Sequence, residues 1–405
     1  MSADALPLSG VRVLEYAQYV AGPFAGMLLA DLGADVVKVE PPHGDAWRHY
    51  EPFAPGESRY FYALNRNKRS VVLNLKDPED RRASRDLIRE ADVVLHNLPE
   101  PRATEFELDR ESVREVNPDA VWCCVSALGS DGPDASATAF DLVAQSLSGL
   151  LLANAHPADP VPQRAGGIAM ADFTAGLLAT IAVLGGLVGR GRGAAPGLEV
   201  SLLGAALAVQ AQRFVSVADV DPEPPVGAPR HATAEDLARH GREARAALAL
   251  EPYYRAYAAA DGFFALACLH ERQRRAAAAV VGLDDPWAAN PQAPPADEVE
   301  RRRRLEIAGE FERRLATRSV QEWVEAFRTA GVPAAPVRLL AAQYEDEQVN
   351  ANGLVQTVEQ KGVGPVRLLG SPFKVDGASA PARWSAPGLG EHTAEVLGVG
   401  LESRA

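Results

Sequence analysis

Between residues 10 and 126 the chain alternates short β-branched runs with helical segments, and this alternation narrows the fold more than any other feature. Residues 10–17 (GVRVLEYA), 35–40 (DVVKVE), 70–75 (SVVLNL), 92–96 (DVVLH) and 120–126 (AVWCCVS) read as strands. Residues 24–32, 78–91 and 110–116 read as helices between them. Strands alternating with helices pack as a mostly parallel sheet covered by helices, so the expected class is α/β with a Rossmann-like sheet.

Further helices are expected over 140–151, 173–188 and 198–217, the last two apolar nearly all round and therefore buried. A break follows. Residues 219–229 (DVDPEPPVGAP) are rich in proline and acid and 230–245 are polar and charged, which predicts a linker over 219–245. Beyond it come a turn at Asp261-Gly262, a strand over 263–268 and helices starting at Glu271, Glu298 and Ser319, the pattern of a smaller α+β domain. After Gly331-Val332-Pro333 the chain returns to strand and loop, ending in APGLGEHTAEVLG over 386–398.

The 405 residues carry a formal charge of −13, which argues against nucleic-acid or anionic-membrane partners; an anionic ligand must meet a local basic patch. Cys123, Cys124 and Cys268 make no disulfide framework and no Cys/His ligand cluster, so no metal site is expected and a reducing cytoplasm fits best. The first ten residues lack the pattern of a secretory signal. The longest apolar stretch, 175–188, is 14 residues with three glycines, against the roughly 20 that span a bilayer.

Glu40 ends the second strand where a ribose-binding acid would sit, but residues 18–23 (QYVAGP) lack the G-x-G-x-x-G fingerprint, which disfavours a nicotinamide or flavin. The run GRGRG at 189–193 follows a helix and reads as a solvated turn. Asp172 stands in RAGGIAMADFTAGL (164–177), between a glycine-bearing turn and an apolar helix. Taken alone it reads as an N-cap; the unpaired amides and dipole of a helix start also favour an ionised carboxylate, which suits a nucleophile.

Six ordered segments together are similar to the class III CoA-transferase family, which includes formyl-CoA and carnitine-CoA transferases and α-methylacyl-CoA racemases. They are 8–48, 65–79 (NRNKRSVVLNLKDPE), 91–97 (ADVVLHN), 139–150 (AFDLVAQSLSGL), the Asp172 segment and 386–398. The resemblance implies that Asp172 attacks an acyl-CoA thioester, giving an aspartyl anhydride and then an aspartyl-CoA thioester that an incoming carboxylic acid discharges. It places Asp141 near the active site, and Gly166 and Gly167 where backbone amides approach the oxyanions. No cofactor is implied beyond CoA itself, and the partners are an acyl-CoA and a carboxylic acid.

The resemblance also implies a CoA site. Gln18, Tyr19, Val20 and Ala21 would line the pantetheine and adenine path; Leu73, Asn74, Leu75, Asn97 and Leu98 would surround the nucleotide; Arg48, Lys68, Arg69 and Arg102 are phosphate candidates. The racemase branch carries a histidine before the Asp141 position. Phe140 stands there and cannot take a proton, so transferase leads, with racemase and a CoA-binding homologue of little turnover as alternatives. Thr138, where a basic residue is common, and the lack of a glycine-rich active-site loop make oxalate or formate specificity doubtful. Family members form interlocked homodimers, implying here a large domain of 1–218 and 331–405 and a small one of 246–330. Arg272–275, Arg301–304, His96, His392, Cys123 and Cys124 are assigned no chemistry; the arginine runs read as solvated helix faces.

Overall fold

The computed structural model describes residues 6–156, 159–190, 197–218, 220, 231–291 and 293–398. The chain divides into two compact units. The first comprises Met1–Asn154, Arg164–Ala228 and Asp346–Ala405; the second comprises Ala155–Gln163 and Pro229–Glu345.

The first unit is built on a six-stranded sheet with β1 (Arg12–Tyr16), β2 (Asp35–Glu40), β3 (Lys68–Val72), β4 (Val93–His96), β5 (Val121–Ser126) and β6 (Gly197–Ser201). All neighbours pair in parallel, in the order β3-β2-β1-β4-β5-β6. Helices α1 (Ala21–Asp31), α2 (Arg59–Asn65), α3 (Pro78–Arg89), α4 (Glu100–Glu105), α5 (Arg110–Val116), α6 (Asp141–Leu147), α7 (Leu150–Ala153), α8 (Met170–Gly189) and α9 (Leu202–Ala208) connect and cover it. The two-residue period of the strands divides their side chains between two cores. Val13, Val36, Val93 and Val121 pack with α1 and α8 on one face, while Leu14, Val37, Val71 and Val94 pack with Ile88 of α3 and Val113 of α5 on the other. The strand order reverses between β1 and β4, so the crevice above their carboxyl ends is where such a sheet takes ligands.

Three sequence expectations change. The helix over 198–217 is instead β6 followed by α9: Leu198 and Val200 face the core, and the Ser201 hydroxyl accepts from Gly204 N to start the helix. The strand was hidden because its apolar residues run without a break into those of the helix. Within the expected linker, residues 219 and 221–230 lie outside the described residues, but α10 (Ala234–Leu250) occupies the remainder, closed by a Thr233–Asp236 capping box. Most of the 189–193 run also lies outside the described residues. The 14-residue apolar stretch belongs to α8, whose 20 residues are long and apolar enough to cross a membrane by length and composition. Here α8 lies against α1, β5 and β6, and Gly176 permits that: a Cβ there would stand 2.7 Å from the Ala21 carbonyl oxygen.

In the second unit, β7 (Tyr254–Ala258), β8 (Phe263–Ala267) and β9 (Ala334–Pro336) form an antiparallel sheet. With α11 (Glu271–Val281), α12 (Glu298–Leu315) and α13 (Val320–Thr329) they enclose a core of Tyr257, Phe264, Phe311 and Phe327. Because β9 pairs with β8, the chain leaves this unit after residue 345, not at 331.

The final segment holds α14 (Glu347–Ala351), hairpins β10 (Val355–Gln360)/β11 (Gly364–Leu369) and β12 (Lys374–Val375)/β13 (Ala378–Ser379), and α15 (Thr393–Leu397). It closes the open edge of β3. His392 N donates to the Ser70 carbonyl at 2.9 Å, and Val72 N donates to Thr393 Oγ1 at 3.0 Å, so the GEHT motif supplies partners that an edge strand lacks.

Charge is buried inside this sheet. Lys38 Nζ lies 2.9 Å from Glu15 Oε1, 2.8 Å from Asp45 Oδ2 and 2.7 Å from the Ala17 carbonyl, and Lys68 Nζ lies 2.8 Å from Glu15 Oε2; none of these four side chains is exposed. Burial opposes the Lys38 charge, but Asp45, Glu15 and Glu40 outweigh it and raise the ammonium pKa above its ordinary value. Replacing Lys38 by methionine would leave Asp45 buried without its ammonium partner and Glu15 with Lys68 alone. The expected cost is about 3–5 kcal/mol, read as a lowered urea midpoint with an unchanged slope.

Candidate active site

The loop leaving β1 is held from two sides. Asn97, just past β4, accepts from Gln18 N at 3.0 Å and donates to the Gln18 carbonyl at 2.8 Å. Asp45 accepts from Tyr19 N at 3.2 Å, and Lys38 holds the Ala17 carbonyl. Tyr19 sits at φ 68°, a left-handed conformation uncommon outside glycine and characteristic of ligand clamps. Its ring packs edge-on against Trp47 and Phe140, each at 5.5 Å between centroids.

Asp172 is the third residue of α8, inside the helix and not its cap. The N-cap position belongs to Ala169, which has no side-chain acceptor. The cap comes from a distance: Asp141 Oδ1 accepts from Ala171 N at 2.9 Å and from Asp172 N at 3.4 Å. Asp141 is likewise not its own helix's cap, since Phe140 precedes it in extended conformation. Its Oδ2 accepts from Gln145 Nε2 at 2.8 Å and from Arg164 Nη1 at 3.4 Å. Gln145 also donates to the Ile168 carbonyl at 3.3 Å, which ties the turn before α8 to α6. Gly166 and Gly167, at φ 59° and 71°, let that turn double back after Arg164.

This capping reverses one expectation. With the Ala171 and Asp172 amides already taken by Asp141, the helix start does not keep Asp172 ionised. Burial raises its carboxyl pKa, the Asp141 charge raises it further, Arg164 lowers it in part, and the outcome is about 7.

Asp172 lines a cavity of about 830 Å³ together with Gln18, Tyr19, Val20, Ala21, Asn97, Leu98 and Phe140. A second cavity of about 540 Å³ is lined by Leu73, Asn74, Leu75 and Arg102, with Lys76 and His43 as further basic groups; Gln18 and Leu98 border both. The structure thus gathers ten of the thirteen expected CoA-contacting residues around two adjoining cavities.

The other three are basic residues engaged elsewhere. Arg48 forms a buried two-pronged pair with Glu40, at 2.7 Å for both Nε and Nη2, and lies over the Phe61 ring. Burial opposes ionisation of Glu40, yet Arg48 outweighs it and holds the carboxyl below its ordinary value. Lys68 is enclosed beside Glu15, and Arg69 bridges Asp35 and Glu395. Sequence reasoning missed Gln145, Asp45 and Arg164. Arg164 carried the one local signal, opening the glycine turn eight positions before Asp172.

Comparison with known proteins gives a consistent picture. The sequence model of CoA-transferase family III matches residues 8–393. The chain is 32% identical to a succinate–glutarate CoA-transferase of Agrobacterium fabrum, over 96% of this chain and 95% of that one. It is 31% identical to a succinyl-CoA:glutarate CoA-transferase of Mus musculus, over 96% and 86%. Among solved structures, a CAIB/BAIF family protein from Brucella suis superposes with a TM-score of 0.75 at 28% identity, covering 97% of this chain and 98% of that one.

Two outcomes follow from the raised Asp172 carboxyl. Because its folded pKa lies above the ordinary 3.8, the stability contributed by the protonated form is complete below pH 4 and is lost as pH rises through about 7. Asp172→Asn is therefore expected to be more stable than the parent at pH 8, by roughly 1–3 kcal/mol after allowance for solvent screening, with the gap closing toward pH 4 in thermal unfolding. Asp141→Asn removes a neighbouring negative charge, so the pH inflection assigned to Asp172, read from kcat/KM against pH, should move downward.

Proposed function

The chain belongs to CoA-transferase family III and is a CoA-transferase, and we propose that it moves CoA from an acyl-CoA to a carboxylic acid through covalent intermediates on Asp172. The observation that carries this reading is the Asp172 carboxyl itself, set in the first turn of α8 and lining the larger cavity.

In the first step an Asp172 carboxylate oxygen attacks the thioester carbonyl, the C–S bond breaks and CoA leaves as its thiolate, giving a mixed anhydride. The thiolate then attacks the aspartyl carbonyl of that anhydride and the original acyl group departs as a carboxylate, leaving an aspartyl-CoA thioester. The acceptor carboxylate repeats the sequence in reverse: it displaces the thiolate to form a new anhydride, and the thiolate attacks the acceptor carbonyl, releasing the new acyl-CoA and Asp172. Every step exchanges an acyl group between oxygen and sulfur, with no redox change.

The surroundings support this chemistry. A carboxylate whose conjugate acid has a pKa of about 7 is more basic than an ordinary aspartate, and the burial that raises it also strengthens its attack on a carbonyl. Asp141 fixes the backbone of Asp172 by capping α8. The nucleotide would occupy the smaller cavity, with Lys76 and Arg102 as phosphate partners, and the pantetheine arm would pass Gln18 and Leu98 to reach Asp172. Phe140, which lines the same cavity as Asp172, is itself no proton acceptor, which favours transfer over racemisation.

A homodimer belongs to the same proposal. Leu177, Ile181 and Val188 of α8 and Leu142, Val143 and Leu147 of α6 are exposed, an apolar surface that a second copy would cover.

Incubation with an acyl-CoA and a panel of carboxylic acids tests the mechanism. Intact mass should show a CoA adduct that hydroxylamine removes and that Asp172→Ala does not form, and chromatography should show exchanged thioester only for the parent. Transfer by Asp172→Ala at the parent rate would refute the mechanism.

A further inference from the structure

A strip of aromatic rings begins in the wall of the cavity that Asp172 lines. Phe140 and Tyr19 both line that cavity and meet edge to face, with 5.5 Å between ring centroids and 70° between planes. Tyr19 meets Trp47 in the same manner at 5.5 Å. Trp47 then packs on Tyr50 at 4.6 Å and on Tyr60 at 5.8 Å, and those two tyrosines meet each other at 4.8 Å. The rings come from three separate places in the chain: the loop after β1, residues 47–60 and the start of α6. Their convergence is set by a buried charge. Asp45 Oδ1 accepts from Tyr19 N at 3.2 Å and from Trp47 N at 2.9 Å, while its Oδ2 is paired with Lys38 at 2.8 Å. One enclosed carboxylate therefore fixes the backbones of two neighbouring rings.

The rings at the cavity end are not used up by these contacts. Phe140 is 56% exposed and Tyr19 37%, and Phe140 directly precedes Asp141, the carboxylate that holds the Ala171 and Asp172 amides. Edge-to-face and offset arrangements stabilise aromatic pairs beyond their apolar area, so a third ring entering beside this pair gains what a saturated group of the same size does not. The charges near the strip point the same way. Tyr60 OH donates to Glu51 Oε2 at 3.3 Å, which puts a carboxylate at the outer rings. Arg110, a cation lining the same cavity, is seated instead over Gly197 at the start of β6, where a Cβ would stand 2.3 Å from its Nε. A group lying along the strip meets π surface and then a negative charge, which suits an uncharged aryl group.

We infer that Phe140 and Tyr19 receive the acyl group of the substrate and that this group carries an aryl ring, so that the acid is an arylalkanoic acid and the thioester its CoA ester. The inference rests on the CoA-transfer reading above and names a substrate class for that same site. Phe140 is the specificity-determining residue, because it presents the more open ring of the pair beside the cavity that holds Asp172.

The test is calorimetric binding of phenylpropionyl-CoA, cyclohexylpropionyl-CoA and hexanoyl-CoA in an Asp172→Asn background, so that selectivity is read without the covalent steps. With Phe140 in place, the phenyl thioester should bind roughly three- to tenfold more tightly than its cyclohexyl counterpart, which has a similar shape and no π system. Phe140→Leu should bring that ratio to about one, and Phe140→Tyr should keep it. A loss of CoA affinity common to both thioesters cannot move the ratio, so a merely structural role for Phe140 would leave it unchanged. Equal affinities with Phe140 in place, tightest binding of hexanoyl-CoA, or an unchanged ratio in Phe140→Leu would each overturn the inference. An unchanged ratio accompanied by weaker self-association in analytical ultracentrifugation would assign the ring to contact with a second copy of the chain. If the parent formed no CoA adduct with any of these thioesters while the phenyl preference held, the covalent mechanism would fail and the aryl selectivity would stand, so the two failures are told apart.

Discussion

The buried Lys38 ammonium is the interaction on which the site depends. A lone charge at the centre of a sheet is prohibitively costly, so its presence requires Glu15 and Asp45 to close on it. Those contacts do more than neutralise. Asp45 also binds Tyr19 N, and Lys38 binds the Ala17 carbonyl, so the ion pair and the loop after β1 are one construction. The left-handed Tyr19 persists because its neighbours over-determine it, and its ring then forms a wall of the cavity that Asp172 lines.

A second construction meets the first across that cavity. Asp141, at the start of α6, caps α8 from 30 residues away, and Gln145 secures the intervening turn through Ile168. The Asp172 backbone is thus fixed by a residue whose charge also makes its carboxyl harder to ionise. Positioning and pKa are set by the same side chain. A carboxyl poised near neutrality is the consequence, and Arg164 is the local counterweight.

The legible part of the sequence was the part governed by local periodicity. β2 spans 35–40 and α5 spans 110–116 in the structure as in the residue pattern, since local patterning announces them without help from the rest of the chain. β6 was not legible, because its apolar residues continue into α9 and only pairing with β5 shows where strand becomes helix. The phosphate candidates divide in the same way. A sequence shows that Arg48 and Lys68 are cations, but their carboxylate partners, Glu40 and Glu15, are set beside them only when β2 and β1 enter the sheet.

By itself the sequence determined an α/β fold with a parallel sheet, a motif order matching CoA-transferase family III, and Asp172 as the residue to watch. These rest on short-range patterns and on chain order, which exist before folding. Tertiary structure alone decided that Asp172 lies inside its helix, that Asp141 supplies the cap, and that burial and a second carboxylate move its pKa to about 7. Each of these is a property of distance and local dielectric between residues far apart in the chain, and neither quantity has a value until the chain is folded.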